Sequence, residues 1–125
     1  MLNRLIDHRP ASPCEQYQAA AALSALQPRV HLLVVQPTPF CNINCRYCYL
    51  ASRSNRATMS EQTMDNLFGK LFASGWVRRR LDLAWHAGEP TVLPIDFYRR
   101  AFEIVERHCP AGLEVRHGFR PTRRC

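Results

Sequence analysis

The amino-acid sequence predicts an α/β fold built on a parallel sheet, from three observations. A short apolar run, Val30-His31-Leu32-Leu33-Val34-Val35, has the composition of a buried strand. Residues 60–74 then place Met64, Leu67, Phe68, Leu71 and Phe72 at i, i+3, i+4, i+7 and i+8, one face of an amphipathic helix. Leu81-Asp82-Leu83-Ala84-Trp85-His86 returns to strand character, and a second helical stretch follows it. Parallel strands need a crossover of about a dozen or more residues, and stretches of this length supply one.

Residues 14–27 are Ala- and Gln-rich and predict a short leading helix ended by Pro28. Residues 30–36 predict the first strand. Thr58 or Ser60 can cap the helix that follows, and Gly75 can end it. The second strand, 81–86, enters the turn Ala87-Gly88-Glu89-Pro90. Pro94 opens a second helix over 94–108, with Tyr98, Ala101, Phe102 and Val105 on one face. Arg107 and His108 lie in its last turn, where positive charge suits the helix dipole, and Pro110 stops it. Leu113-Glu114-Val115-Arg116-His117-Gly118-Phe119 alternates as a third strand. There is no internal repeat beyond this period and no low-complexity segment. The chain divides into an N-terminal extension with a short helix (1–29), a core (30–119) and a basic tail (120–125).

With 125 residues, 46% of them hydrophobic, the chain suits one small domain with a modest core. No apolar run approaches the roughly 18 residues that cross a bilayer, so no membrane association is expected. The first ten residues, Met1 to Pro10, lack the apolar core and cleavage site of a signal peptide, which makes a cytoplasmic location the default. Net charge is +7, and the excess arginine gathers at Arg78-Arg79-Arg80 and at Arg116, Arg120, Arg123 and Arg124. Without interleaved aromatics or a reader motif these charges read as a solvated surface, and no nucleic-acid partner is expected.

Chemistry concentrates in Cys41-Asn42-Ile43-Asn44-Cys45-Arg46-Tyr47-Cys48, a C-x3-C-x2-C loop just after the first strand. Six cysteines suit a disulfide scaffold only in a secreted chain. In a reducing compartment clustered thiolates more often hold metal. Structural zinc wants four ligands, usually as two pairs, and only Cys45 and Cys48 make such a pair. Three thiolates suit an iron–sulfur cluster with one iron left open to a small molecule. Cys14, Cys109 and Cys125 could each be a fourth ligand, though none has local spacing. A loop at the C-terminal end of a parallel strand is where α/β folds place their sites.

The run Gln36 to Leu50, with its C-x3-C-x-aromatic-C core, resembles the cluster motif of radical S-adenosylmethionine (radical SAM) enzymes. Trp85-His86-Ala87-Gly88-Glu89-Pro90 resembles the GGEP motif of that family, again at a strand end. Together with Pro94 to Arg100 the pattern is similar to the peptide- and protein-maturing branch, which includes anaerobic sulfatase maturases and SPASM-domain enzymes. The likeness covers about residues 30–119.

The resemblance implies the N-terminal portion of a partial (β/α)6 barrel with parallel strands, cut after about the third strand. It implies an enzyme in which Cys41, Cys45 and Cys48 hold a [4Fe-4S] cluster and S-adenosyl-L-methionine completes the site. Reductive cleavage to a 5′-deoxyadenosyl radical would then act on a peptide or protein substrate, sulfatase-like in kind. An electron donor such as flavodoxin or ferredoxin is implied as well. Tyr47 would lie near the adenine, and the backbone of Ala87, Gly88, Glu89 and Pro90 would receive the SAM amino group. Ala87 departs from the usual glycine and is tolerable there at a negative φ. The alternative from another class is a small non-catalytic iron–sulfur or zinc-binding module. After Phe119 the family leads one to expect a strand end resembling Gln-Thr-Asn-Ala-Thr-Leu. The chain reads Arg120-Pro121-Thr122-Arg123-Arg124-Cys125, which a two-base frame shift across CGN codons can convert to such a sequence. The tail is thus expected to be frameshifted and the chain to be an inactive fragment.

Other residues carry plainer expectations. Trp85, Phe68 and Phe102 read as core, and His31 as a satisfied core histidine. His86 reads as packing or as support behind the site. Glu89 can contact cofactor or bond turn amides, and Tyr49 can support the cysteine loop or pack.

Overall fold

The computed structural model of the chain describes residues 12–14, 16 and 28–121. The leading helix expected over 14–27 lies almost wholly outside the described residues, as does the end of the tail, 122–125. The elements run β1 (Leu32–Val35), α1 (Glu61–Ala73), β2 (Arg80–Trp85), a short 3₁₀ turn (Pro90–Val92), α2 (Ile95–His108) and β3 (Glu114–Phe119). The strands form one parallel sheet in the order β1-β2-β3. The α/β class and its alternation are as the sequence predicts.

Helix α1 begins where Ser60, not Thr58, caps it: the Ser60 hydroxyl oxygen accepts from the Thr63 amide at 3.1 Å. A serine cap of this kind stabilises a helix by about 1 kcal/mol. The helix ends at Gly75, whose φ of +69° supplies the left-handed residue of a helix stop. Pro94 precedes α2 as its cap residue and makes no side-chain capping bond.

Both helices pack on one face of the sheet. Met64, Phe68 and Phe72 of α1 and Tyr98, Ala101, Ile104 and Val105 of α2 share a single core with Val35, Leu81, Leu83 and Trp85. Trp85 is its centre, fully buried, with Tyr98 edge-on at 5.5 Å and His117 stacked at 6.3 Å. Phe102 is half-buried against it. Of the predicted stripes, Met64, Phe68, Phe72, Tyr98, Ala101 and Val105 are buried, Leu67, Leu71 and Phe102 are half-buried against them, and Ile104 is added.

Among the described residues, no helix covers the opposite face of the sheet. Register aligns Leu32 with Asp82 and Arg116, and Val34 with Ala84 and Gly118. Leu32 and Val34 are 59% and 52% exposed, which corrects the expectation of a fully buried first strand. Coverage of a strand on both faces needs a second layer, and both described helices lie on the same side. His31 is likewise exposed, not a core histidine.

The two helices are tied by charge. Asp65 of α1 accepts from His108 Nε2 at 2.9 Å and from Arg107 at 3.0 Å. The basic last turn of α2 thus meets a specific carboxylate as well as its own helix dipole. His117 accepts a hydrogen bond from the Trp85 indole N–H at its Nδ1, 3.3 Å away, so that nitrogen is unprotonated. Burial pushes the His117 pKa below the usual histidine range, and Glu106 offsets this only in part. The unfolded chain therefore binds a proton that the folded chain resists. Stability is complete above about pH 6.5 and falls as the pH drops toward the lowered folded value. Denaturant midpoints between about pH 7 and 5 should show this slope, and His117→Phe should flatten it; an equal slope in both proteins would refute the assignment.

Candidate functional site

The cysteine loop and the Ala87-Gly88 turn meet at the C-terminal ends of β1 and β2. The sheet itself brings them together: the His86 amide donates to the Val35 carbonyl at 2.9 Å as the two strands end. Cys41, Cys45 and Cys48 line one cleft of about 210 Å³, along with Tyr47, His86, Ala87 and Gly88. Its remaining walls, Ile43, Tyr49 and Leu50, are largely apolar. His86 is exposed on this wall, and its Nδ1 lies 3.3 Å from the Arg120 carbonyl.

The loop is stapled at its base. Thr38 is 1% exposed; its hydroxyl donates to the Ala57 carbonyl at 2.7 Å and accepts from the Phe40 amide at 3.2 Å. The Met59 amide donates to the Pro37 carbonyl at 2.8 Å, and the Cys41 amide to the Arg53 carbonyl at 3.0 Å. Arg53 in turn donates to the Cys45 carbonyl at 3.1 Å. Arg56 stacks its guanidinium 4.1 Å over the Phe40 ring. Sequence reading missed Thr38, whose only advance signal is a small hydroxyl between two prolines.

Within the loop, the Ile43 amide donates to the Cys41 sulfur at 3.4 Å and fixes its position on the cleft wall. Cys41 and Cys48 are free and half-buried. Cys45 is 7% exposed and its sulfur is in a disulfide. Among the described residues no three His, Cys, Asp or Glu side chains converge as a ready metal site. The three cysteines thus share a cleft without being drawn together at ligand distance.

Gly88 has φ +63°, and a Cβ on it would lie 2.3 Å from the Thr38 carbonyl oxygen and 2.7 Å from that of Phe40. The turn therefore sits directly on the segment leading into Cys41, and the Glu89 amide donates to the Phe40 carbonyl at 2.8 Å. Glu89 is 3% exposed, and its carboxylate accepts from the amide and hydroxyl of Thr91 at 3.1 and 2.5 Å. Pro90 is buried and its carbonyl accepts from the Tyr98 hydroxyl at 2.6 Å. Burial, and then the nearby Glu89 charge, push the Tyr98 pKa up to about 12. Ala87 and Gly88 line the cleft, whereas the Glu89 side chain is occupied in the turn. Tyr47 lies on the cleft rim and is 80% exposed.

Ala87 does not meet the condition of a negative φ; its φ is +66°. The tight reversal out of β2 imposes the left-handed region on two successive residues. An L-residue there is strained by roughly 1–2 kcal/mol, offset in glycine by about 0.5–1 kcal/mol of extra backbone entropy. Ala87→Gly is therefore expected to stabilise the chain by about 0.5–1 kcal/mol, read as a rise in thermal midpoint. A fall in that midpoint would refute it.

No family model matches the chain. It is 36% identical over 78 residues to the uncharacterized protein sll1766 of Synechocystis sp., covering 62% of this chain and 20% of that protein. It is 26% identical over 87 residues to the serine-type anaerobic sulfatase-maturating enzyme of Klebsiella pneumoniae, covering 68% of this chain and 22% of that enzyme. A solved structure of anSMEcpe with bound AdoMet and the Cp18Cys peptide superposes with a TM-score of 0.58 at 20% identity. That match covers 74% of this chain and 24% of that one, and it shows the fold. The chain spans about a fifth to a quarter of the length of these proteins. Over the part that is matched, the chain is therefore a relative of the anaerobic sulfatase-maturating enzymes, the radical SAM branch that its cysteine and Gly-Glu-Pro motifs resemble.

Proposed function

We propose that this chain carries the cluster-and-SAM side of a radical SAM site acting in peptide or protein maturation. The observation that carries the reading is the single cleft lined by Cys41, Cys45, Cys48 and the backbone of Ala87-Gly88. The donor set fits a [4Fe-4S] cluster once Cys45 is reduced: three cysteine sulfurs and no carboxylate line a mostly apolar cleft, with a backbone amide donating to one of them. When bound, the cluster and SAM supply reductive cleavage of the sulfonium to a 5′-deoxyadenosyl radical.

The chain's own residues bind and orient. Cys41, Cys45 and Cys48 supply thiolates, and Cys45 must first be released from its disulfide. The Ile43 amide positions the Cys41 sulfur, and Arg53 holds the Cys45 backbone. Ala87 and Gly88 bring bare backbone to the cleft wall, suited to an amino acid's ammonium and carboxylate. Glu89, Pro90 and Tyr98 hold that backbone in place, and Tyr47 offers a ring to an adenine on the rim. Ile43 and Leu50 exclude water, which strengthens every polar contact inside. The bare sheet face, with both helices on the other side, suits the inner wall of a partial barrel over 30–119. A peptide substrate is supported by the peptide bound to anSMEcpe.

The test is anaerobic reconstitution of the thiol-reduced chain with iron and sulfide. Uptake of about four iron and a SAM-dependent change in the reduced cluster's EPR signal are expected. Cys41→Ser, Cys45→Ser and Cys48→Ser should each abolish both. Zinc uptake with no iron would sink the reading in favour of a structural metal module. Release of 5′-deoxyadenosine measures turnover separately.

A further inference from the structure

His86 stands on the same cleft wall as Cys41, Cys45 and Cys48. Among the described residues it is the one lining side chain with a ring nitrogen able to bind metal. Its backbone is fixed from both sides. The His86 amide donates to the Val35 carbonyl at 2.9 Å, and the preceding carbonyl, that of Trp85, accepts from the Arg120 amide at 3.0 Å. The ring is held too. Its Nδ1 lies 3.3 Å from the Arg120 carbonyl oxygen, and a carbonyl only accepts, so Nδ1 carries the proton of the neutral ring. Nε2 then keeps its lone pair. A histidine that binds metal characteristically has this arrangement, with one nitrogen on the metal and the other donating to a carboxylate or backbone carbonyl. Imidazole also replaces thiolate on iron in some iron–sulfur centres.

The spread of these four side chains decides what they can hold. Among the described residues no three ligating side chains converge on one point, as tetrahedral zinc at about 2.0–2.3 Å requires. A [4Fe-4S] cubane takes a ligand on each of its irons, so its ligands ring a cavity instead. Three sulfurs and one imidazole around a single cleft of about 210 Å³ match that demand.

We propose that His86 Nε2 is this chain's own ligand for the fourth iron, bound there until SAM displaces it. The inference rests on the cluster reading, with Cys45 released from its disulfide. His86 directly precedes the Ala87-Gly88 backbone, so the outgoing ring and the incoming amino acid share one wall. The exchange moves no electrons. The iron–imidazole bond breaks, bonds form to the amine nitrogen and carboxylate oxygen of SAM, and the proton shed by the ammonium passes to water. The consequence is protection: with the fourth position filled, no iron stands open to water or oxygen while SAM is absent.

The test uses the full-length, thiol-reduced chain with ¹⁵N-labelled histidine, reconstituted anaerobically with iron and sulfide. Without SAM, pulsed EPR of the reduced cluster should show a directly bound ¹⁵N. His86→Ala should abolish that coupling, and substitution of the exposed His31 by Ala should keep it. Unlabelled SAM should replace the ¹⁵N coupling with one from ¹⁴N. Added imidazole should restore a nitrogen coupling to His86→Ala, which a merely structural histidine would not allow. With the competing ligand gone, His86→Ala should also bind SAM about tenfold more tightly. If His86→Ala takes up less iron, His86→Gln, whose amide can still donate to the Arg120 carbonyl, should restore uptake and still lack the coupling. Full iron uptake without ¹⁵N coupling, or a coupling that survives His86→Ala, overturns this inference alone. No iron uptake refutes the cluster reading. Zinc uptake that is lost in His86→Ala overturns both in favour of a closed zinc site of three cysteines and one histidine.

Discussion

Gly88→Ala is expected to lower the thermal unfolding midpoint by about 10 °C, from a loss of about 3 kcal/mol. Two independent causes add. The φ of +63° disfavours any Cβ, and the added carbon would sit 2.3 Å from the Thr38 carbonyl and 2.7 Å from the Phe40 carbonyl. Neither obstacle can swing away, because both are backbone of a segment held by Thr38 to Ala57 and by Pro37 to Met59. The cheapest relief pushes the turn off the cysteine loop. Iron uptake should therefore fall together with stability, and in excess of it when both are measured below the midpoint. A variant that melts within about 2 °C of the parent would show that the segment yields. Gly75→Ala is the control, since it also has positive φ but nothing lies within 4 Å of its Cβ.

Trp85→Ala should cost about 4 kcal/mol, a large part of the 5–15 kcal/mol that stabilises a typical domain. Trp85 is fully buried, packs against Tyr98, Phe102 and His117, and donates its indole N–H to His117. Truncation removes this packing and leaves the His117 acceptor without its donor. The expected result is loss of cooperative unfolding or a shift of several tenths of the denaturant midpoint range. Trp85→Phe keeps most of the ring contact and should cost markedly less. Equal effects of the two substitutions would mean that the site collapses around either side chain.

The same residue illustrates what a linear reading could reach. Trp85 falls at an alternate position of an apolar strand, and that period-two pattern alone predicts its burial. Met64, Phe68 and Phe72 are legible for the matching reason, a 3.6-residue period. Leu32 and Val34 show the limit. An apolar run has the same appearance whether a sheet is covered on one face or two, and only the common side taken by α1 and α2 leaves them exposed. Asp65 and His108 stand 43 positions apart, and no local pattern links them.

The candidate site divides in the same way. The C-x3-C-x2-C spacing and Gly88-Glu89-Pro90 are visible in the chain because clustered cysteines and tight-turn residues show at short range in the sequence. That both face one cleft is a consequence of parallel pairing between β1 and β2. That Ala87 must adopt a φ of +66° follows from how abruptly β2 must turn to meet the Phe40 segment.

Local periodicity and two short motifs thus determined the α/β alternation, the buried helical faces and where the cysteine loop and the Gly-Glu-Pro turn lie in the sequence. Tertiary structure alone decided which sheet face stays open, which backbone presses on Gly88, and that Thr38 and Tyr98 secure the loop and turn. The physical reason is range. Periodicity and turn chemistry act within a few residues, whereas burial, close backbone approach and partner choice are set by contacts between segments tens of residues apart.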